Sequence, residues 1–316
     1  MAGFKKSGHN FGKKAIMKTN TKGVLYLINT IILFSTYEAV SITLVDKANP
    51  FQINFIRFFI GGIILLIFLL FKREMHINAR ELFWVAVIGI VNVAMSMNLI
   101  QLSLYASGAK ASVVAVIFSS NPIFVCIFAA LIDKEKINLI KLTGLIIGIA
   151  GIFIISAEKP GWDISDYKSP ILALLSAVLY GLYTVLGRRV SVKIGSLKMN
   201  SYSFIIGSLI LLPFLVFFRI PVIKFDYTGI WQVVYLSVFV TGLAYLTYFK
   251  GLSIAGSGKG SLVFFAKPVL ASAIAIIFLK EHLSVNLLAG TVLIVLSILV
   301  VINSEKIDGK IRGLHI

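Results

Sequence analysis

Shifted against itself by 146 positions, the 316-residue chain matches its own punctuation without a gap. Asn54, Phe58 and Gly61 fall on Asn200, Phe204 and Gly207, and Tyr37 falls on Tyr183. Ser107 and Ala109 meet Ser253 and Ala255, while Pro122, Lys134, Glu135 and Gly144 meet Pro268, Lys280, Glu281 and Gly290. Each half holds five apolar runs, near 23–45, 51–71, 81–104, 111–132 and 139–157, then 169–188, 199–218, 229–249, 260–279 and 286–303. Every run is long enough for a helix across about 30 Å of hydrocarbon. Five is odd, so the second half must enter the membrane from the side opposite to the first. The expected fold is an all-α polytopic membrane protein with ten transmembrane helices in two inverted five-helix repeats. Two inside-out copies rocking about a central site give alternating access, which is why secondary transporters favour this plan.

Composition points the same way: 58% hydrophobic residues, 14% charged and a mean hydropathy of +0.96 exceed what a water-soluble domain exposes or buries. The net charge of +17 comes from short Lys and Arg clusters between apolar runs. No basic helix or aromatic nucleic-acid motif presents them, so a nucleic-acid partner is not expected. Roughly 21 Lys and Arg fall on one set of sides, tails included, and about 7 on the other, which predicts that both termini are cytoplasmic. The expected organisation is a basic cytoplasmic tail at 1–22, a first repeat at 23–157, an external linker at 158–168, a second repeat at 169–303 and a cytoplasmic tail at 304–316. The linker, "EKPGWDISDYK", is rich in Gly, Pro and Asp. The tail resembles the front of a signal peptide, but the run after it can span and no small-residue cleavage site follows, so an uncleaved first helix is expected, starting from Met1 or Met17. Cys126 stands alone and is assigned to packing.

The blocks "NPFQINFIRFFIGG", "NPIFVCIFAALIDKEKINLIKLTGLIIGIAGI" and "KPVLASAIAIIFLKEHLSVNLLAGTVLIVLSIL" resemble the EamA-type drug/metabolite transporter superfamily. Its most specific element is Pro, then Glu thirteen positions later, then Gly nine later, present twice. The resemblance covers nearly the whole chain apart from the tails. It implies ten helices, cytoplasmic termini and transport of metabolites or amino acids, usually export, without ATP hydrolysis. One departure is Lys267, which stands where an acidic residue often precedes the ninth-helix proline in this superfamily.

Three residues are expected to be ionised deep within the spans: Glu38, Arg57 and Lys267. Their counterparts under the shift are Thr184, Ser203 and Asn121, so the scaffold is duplicated while the charges are not. At a rise of about 1.5 Å per residue, Glu38 and Arg57 lie roughly 10 Å from the outer ends of their helices and Lys267 about 20 Å. Arg57 is therefore the expected partner of Glu38, as a clamp on the first two helices, as a group that poises Glu38, or as a lock on an outer gate. Glu38 is expected to carry a coupling proton, because an intramembrane carboxylate is a functional hypothesis by default. The context "YEAV" is similar to that of the lone first-helix Glu of small multidrug transporters in the same superfamily.

With Arg57 on Glu38, Lys267 is left to meet a substrate carboxylate or phosphate. The alternative is a lysine bonded to carbonyls that Pro268 frees. Pro122 and Pro268 are expected to break their helices, which is where transporters place their sites. Tyr37, Asn98, Asn121, Tyr180, Tyr183 and Tyr245 are expected to line the cavity, against an alternative of packing by interhelical hydrogen bonds. Glu135 and Glu281 are expected to order loops at helix ends, with gating as the lesser alternative.

No phosphate-binding "GxxxxGK[ST]" occurs, and His9, His76, His282 and His315 all fall in tails or loops. An ATP-driven pump and a membrane enzyme are therefore not expected, and no cofactor or metal is. A channel would ordinarily bring a symmetric pore that one asymmetric chain does not suggest. The expected protein is a multi-pass carrier of the inner or plasma membrane, monomeric or weakly dimeric, with the solute and the lipid bilayer as its partners. It would export a small metabolite, an amino acid or another carboxylate-bearing solute, in exchange for protons. The alternatives are a cationic-compound exporter and an uncoupled facilitator or exchanger.

Overall fold

The computed structural model describes residues 22–134, 138–156, 164–260 and 263–313. Glu135, His9, His315 and most of the tail at 1–22 and of the linker at 158–168 lie outside them. All secondary structure among the described residues is helical. In chain order the apolar rods are α1 (Lys22–Ile42), α2 (Pro50–Phe71), α3 (Ala79–Leu104), α4 (Ala111–Ile132), α5 (Leu139–Ser156), α6 (Ile164–Ile194), α7 (Ser196–Phe217), α8 (Tyr227–Ile254), α9 (Val263–Leu279) and α10 (Val285–Gly313). Among the described residues, seven are long and apolar enough to cross a membrane, and the apolar parts of α5, α9 and α10 are shorter.

The starts of the helices are written locally. Asn49 and Gln52 form a capping box in front of Pro50, and Asn78 and Glu81 form one at the start of α3, each satisfying N–H groups that a helix end leaves open. Asp226 caps the turn that opens α8, and the hydrogen bonds it receives from the Thr228 backbone N–H and hydroxyl hold its carboxyl below the usual range.

The 146-residue shift extends to the backbone. Left-handed residues recur at Arg73 and Arg219 and at Lys134 and Lys280, closing equivalent helices. A π-helical segment interrupts α3 at Ile90–Ser96 and α8 at Leu236–Leu243. Equivalent helices also pack on each other antiparallel. Phe51 near the start of α2 meets Phe214 near the end of α7 at 4.7 Å between ring centroids, and Phe58 meets its own counterpart Phe204 at 4.9 Å. In α5 and α10, Ser297 donates to the Gly144 carbonyl at 2.5 Å and the Asn138 side chain donates to the Ser304 carbonyl. Gly151 packs so closely on Gly290 that an added Cβ would sit 2.9 Å from its carbonyl oxygen.

Other contacts cross over between the repeats. Gly61 of α2 lies on Ser237 and Thr241 in the π segment of α8, and Gly207 of α7 lies on Gly89 and Val93 of α3. An approximate two-fold axis perpendicular to the rods relates these pairs. The outer surface carries large exposed apolar side chains, among them Phe71, Phe153, Phe217 and Trp231. Such a belt needs an apolar medium around it.

Candidate functional site

Four interruptions in the helices converge on one cavity. α1 turns at Thr36, whose hydroxyl bonds to the Leu33 carbonyl at 2.8 Å. α4 breaks at Ser119 and Ser120, whose hydroxyls bond back to the carbonyls of Ala115 and Ile117. The other two are the π segments of α3 and α8. The residues flanking these points line the cavity: Phe34 and Tyr37, Phe118, Met97, and Val240 and Tyr245. Tyr180, Arg57 and Lys267 complete the wall. π segments and broken helices are tolerated where neighbouring side chains satisfy the freed backbone, and they often mark functional sites. Asn54 and Asn98 do this here, both donating to the Val93 carbonyl in the π segment of α3, at 2.9 and 3.1 Å.

Glu38, Arg57 and Lys267 are each 1% exposed. The expected pairing is exchanged. Lys267 Nζ donates to Glu38 Oε1 at 2.6 Å, joining α9 to α1. Lys267 also lies over the Phe118 ring, 4.5 Å from its centroid. Arg57 makes no ion pair with Glu38. Its Nε donates to Asn54 Oδ1 at 3.0 Å, and its guanidinium lies 4.5 Å from the ring centroids of both Tyr37 and Phe58. Depth counted along the chain misses this pairing because it ignores the turn at Thr36 and the reach of a four-carbon lysine stem.

The buried charges are incompletely satisfied: Glu38 Oε2 and Arg57 Nη2 are buried without a hydrogen-bond partner. A buried carboxylate with one free oxygen and a buried guanidinium with one unpartnered nitrogen are costly to hold, since each was stripped of water without full replacement.

The other expected residues are distributed unevenly. Tyr37 donates to Gln101 Oε1 at 2.7 Å, and Tyr245 points its hydroxyl at Met97 Sδ, 3.2 Å away. Tyr180 and Tyr183 meet at a tilt of 54° with 5.3 Å between ring centroids, and of the two Tyr180 lines the cavity. Asn98 serves the π segment, and Asn121 donates to the Phe118 carbonyl at 2.9 Å across the break in α4. Pro122 sits in the first turn of the helix that resumes at Asn121, where its missing N–H costs nothing. Pro268 does not break its helix: α9 runs from Val263 to Leu279 with Pro268 inside. Only one ladder bond near the helix start is lost to it.

Sequence reasoning underweighted Phe34, Phe118 and Asn54. Phe118 had a signal in its position directly before "SSNP", where a helix stops and restarts.

Glu281 has a definite role. Just beyond α9, its carboxylate accepts from the backbone N–H of Ala111 at 2.7 Å, from that of Ser112 at 3.1 Å and from the Ser112 hydroxyl. It thereby caps the N-terminus of α4, where a negative charge is favoured.

A model described as the EamA-like transporter family matches residues 21–157 and again 168–303. An "Uncharacterized transporter" from Clostridium kluyveri is 31% identical over 295 residues, covering 90% of this chain and 94% of its own. The "Uncharacterized transporter YvbV" of Bacillus subtilis is 30% identical over 298 residues, covering 93% and 95%. A chloroplastic "WAT1-related protein" of Arabidopsis thaliana is 23% identical over 87% of this chain and 68% of its own. Among solved structures, one described only as a protein crystal structure superposes with a TM-score of 0.66 at 19% identity, over 89% of this chain and 96% of that one.

Proposed function

The chain belongs to the EamA-like transporter family and is a multi-pass membrane transporter, and from that premise we propose that it is a secondary carrier exporting a small carboxylate-bearing metabolite by alternating access. Its ten rods would cross the inner or plasma membrane as two inverted repeats with both termini cytoplasmic. The antiparallel packing of equivalent helices supports the inversion, because two copies related by an axis in the membrane plane can exchange which side opens.

The observation that carries the reading is the buried charge set at the cavity wall. Two cations, Arg57 and Lys267, stand against one carboxylate, Glu38. The surplus positive charge favours a solute carboxylate and disfavours a cationic drug. Arg57, which lines the cavity and has an unpartnered Nη2, takes over the solute-anchoring role expected of Lys267. Lys267 becomes the counter-ion of Glu38. Proton uptake by Glu38 would release that lysine and loosen α9 from α1, which links protonation to the movement of one repeat against the other.

The test is proteoliposome transport of pooled organic and amino acids, reading current and internal pH for wild type and Glu38→Gln. The expected outcome is saturable counterflow in both proteins, with proton movement in wild type alone. Inward protons accompanying efflux give exchange, and the opposite sign gives co-transport. Normal proton movement in Glu38→Gln overturns the coupling role and leaves Glu38 as a structural partner of Lys267.

A further inference from the structure

The walls of the cavity are aromatic on several sides. Phe34 and Tyr245 meet edge to face at 5.0 Å, as do Phe118 and Tyr180 at 5.0 Å, and Met97 and Val240 add apolar surface between them. The space enclosed between them is about 20 Å³, room for about one water, so a solute ring is seated there only when the walls part.

Polar recognition is concentrated at one place. The guanidinium of Arg57 is clamped between Tyr37 and Phe58 and held by Asn54, so its orientation is fixed, yet Nη2 has no partner. A fixed guanidinium with an unpartnered Nη2 can donate to a carboxylate. Among the described residues at the cavity, the formal charges of Glu38, Lys267 and Arg57 sum to one positive. A monoanion brings that sum to zero. A zwitterion leaves it unchanged, and a cation adds to it, in surroundings where uncompensated charge is costly.

We propose that the solute of this carrier is an aromatic monocarboxylate, an arylalkanoate seated with its carboxylate on Arg57 and its ring among Phe34, Phe118, Tyr180 and Tyr245, in preference to a zwitterionic amino acid or an aromatic amine. The proposal rests on the carrier reading above and narrows it.

The experiment is calorimetric titration of the full chain in lipid nanodiscs with four probes: 3-phenylpropionate, phenylalanine, phenethylamine and butyrate. Together they vary charge at constant ring and remove the ring at constant charge. The expected result is that 3-phenylpropionate binds at least about tenfold more tightly than the other three, as one charge-assisted contact or one buried ring supplies. Arg57→Gln is expected to lower its affinity about tenfold to a hundredfold, and Arg57→Lys to fall between, because the charge survives and the fork does not. Phe118→Leu keeps every charge and is expected to narrow the preference for 3-phenylpropionate over butyrate.

Tighter binding of phenylalanine or phenethylamine overturns the proposal. So does equal binding of butyrate, or an affinity that Arg57→Gln in its folded form leaves unchanged. Counterflow of pooled metabolites is measured on the same purified protein in proteoliposomes. Counterflow of some other solute without 3-phenylpropionate binding overturns this inference and leaves the carrier standing. Binding without counterflow of any solute overturns the carrier and leaves a binding site.

Discussion

At the scale of single residues, the pair between Glu38 and Lys267 decides most. Both side chains are buried and each is the other's ionic partner, so removing one strands the other. Breaking a buried pair in this way costs about 3–5 kcal/mol, whereas replacing both with apolar or neutral groups is far cheaper. Lys267→Met is therefore expected to lower the thermal midpoint in detergent markedly. The combined Glu38→Gln, Lys267→Met protein should recover much of the loss. A double variant no more stable than the sum of the two singles would refute the coupling between them. Glu38, Arg57 and Lys267 were legible in the sequence because charged letters deep inside apolar runs cannot be hidden. Which of them pair was not. Partner choice depends on where α1, α2 and α9 meet in space, and that depends on the turn at Thr36, which no breaker residue announces.

At the scale of helices, the informative contact is the cap that Glu281 places on α4. Three donors of Ala111 and Ser112 converge on one carboxylate, tying the end of α9 to the start of α4. These two helices carry Lys267 and Phe118 into the cavity wall, so the cap fixes one end of both. Glu281→Gln keeps the shape and loses the charge. It is expected to cost about 1–3 kcal/mol, toward the low end because the site is only partly buried. Hydrogen exchange at the start of α4 should rise accordingly. Unchanged protection there would show that the cap does not hold the element. Helix starts such as Asn49 with Pro50 and Asn78 with Glu81 were readable because caps use a short alphabet. The π segments were not, since inserting one residue into a helical turn leaves no composition of its own. Only the 146-residue spacing between Ile90–Ser96 and Leu236–Leu243 shows afterwards that they belong to the repeat.

At the scale of the whole molecule, the repeat found by sliding the sequence against itself reappears as packing. Phe58 against Phe204 is a residue meeting its own copy, which happens only near a two-fold axis. The antiparallel course of α2 and α7 puts that axis perpendicular to the helices rather than along them. An axis along the helices would leave equivalent loops on one face of the membrane; a perpendicular axis sends them to opposite faces. The loop after α2 and the loop after α7 are such equivalents, marked by the left-handed Arg73 and Arg219. In a Cys126→Ser background, Glu74→Cys and Ile223→Cys place one exposed thiol in each. Glu74→Cys is expected to resist a membrane-impermeant maleimide in intact cells and to react after lysis, because its loop carries the denser basic cluster. Ile223→Cys is expected to react in intact cells. Labelling of both from the same side would refute the inversion. It would also remove the symmetry by which two oppositely oriented copies exchange conformations to open first one side and then the other, the basis on which alternating access is argued for this chain.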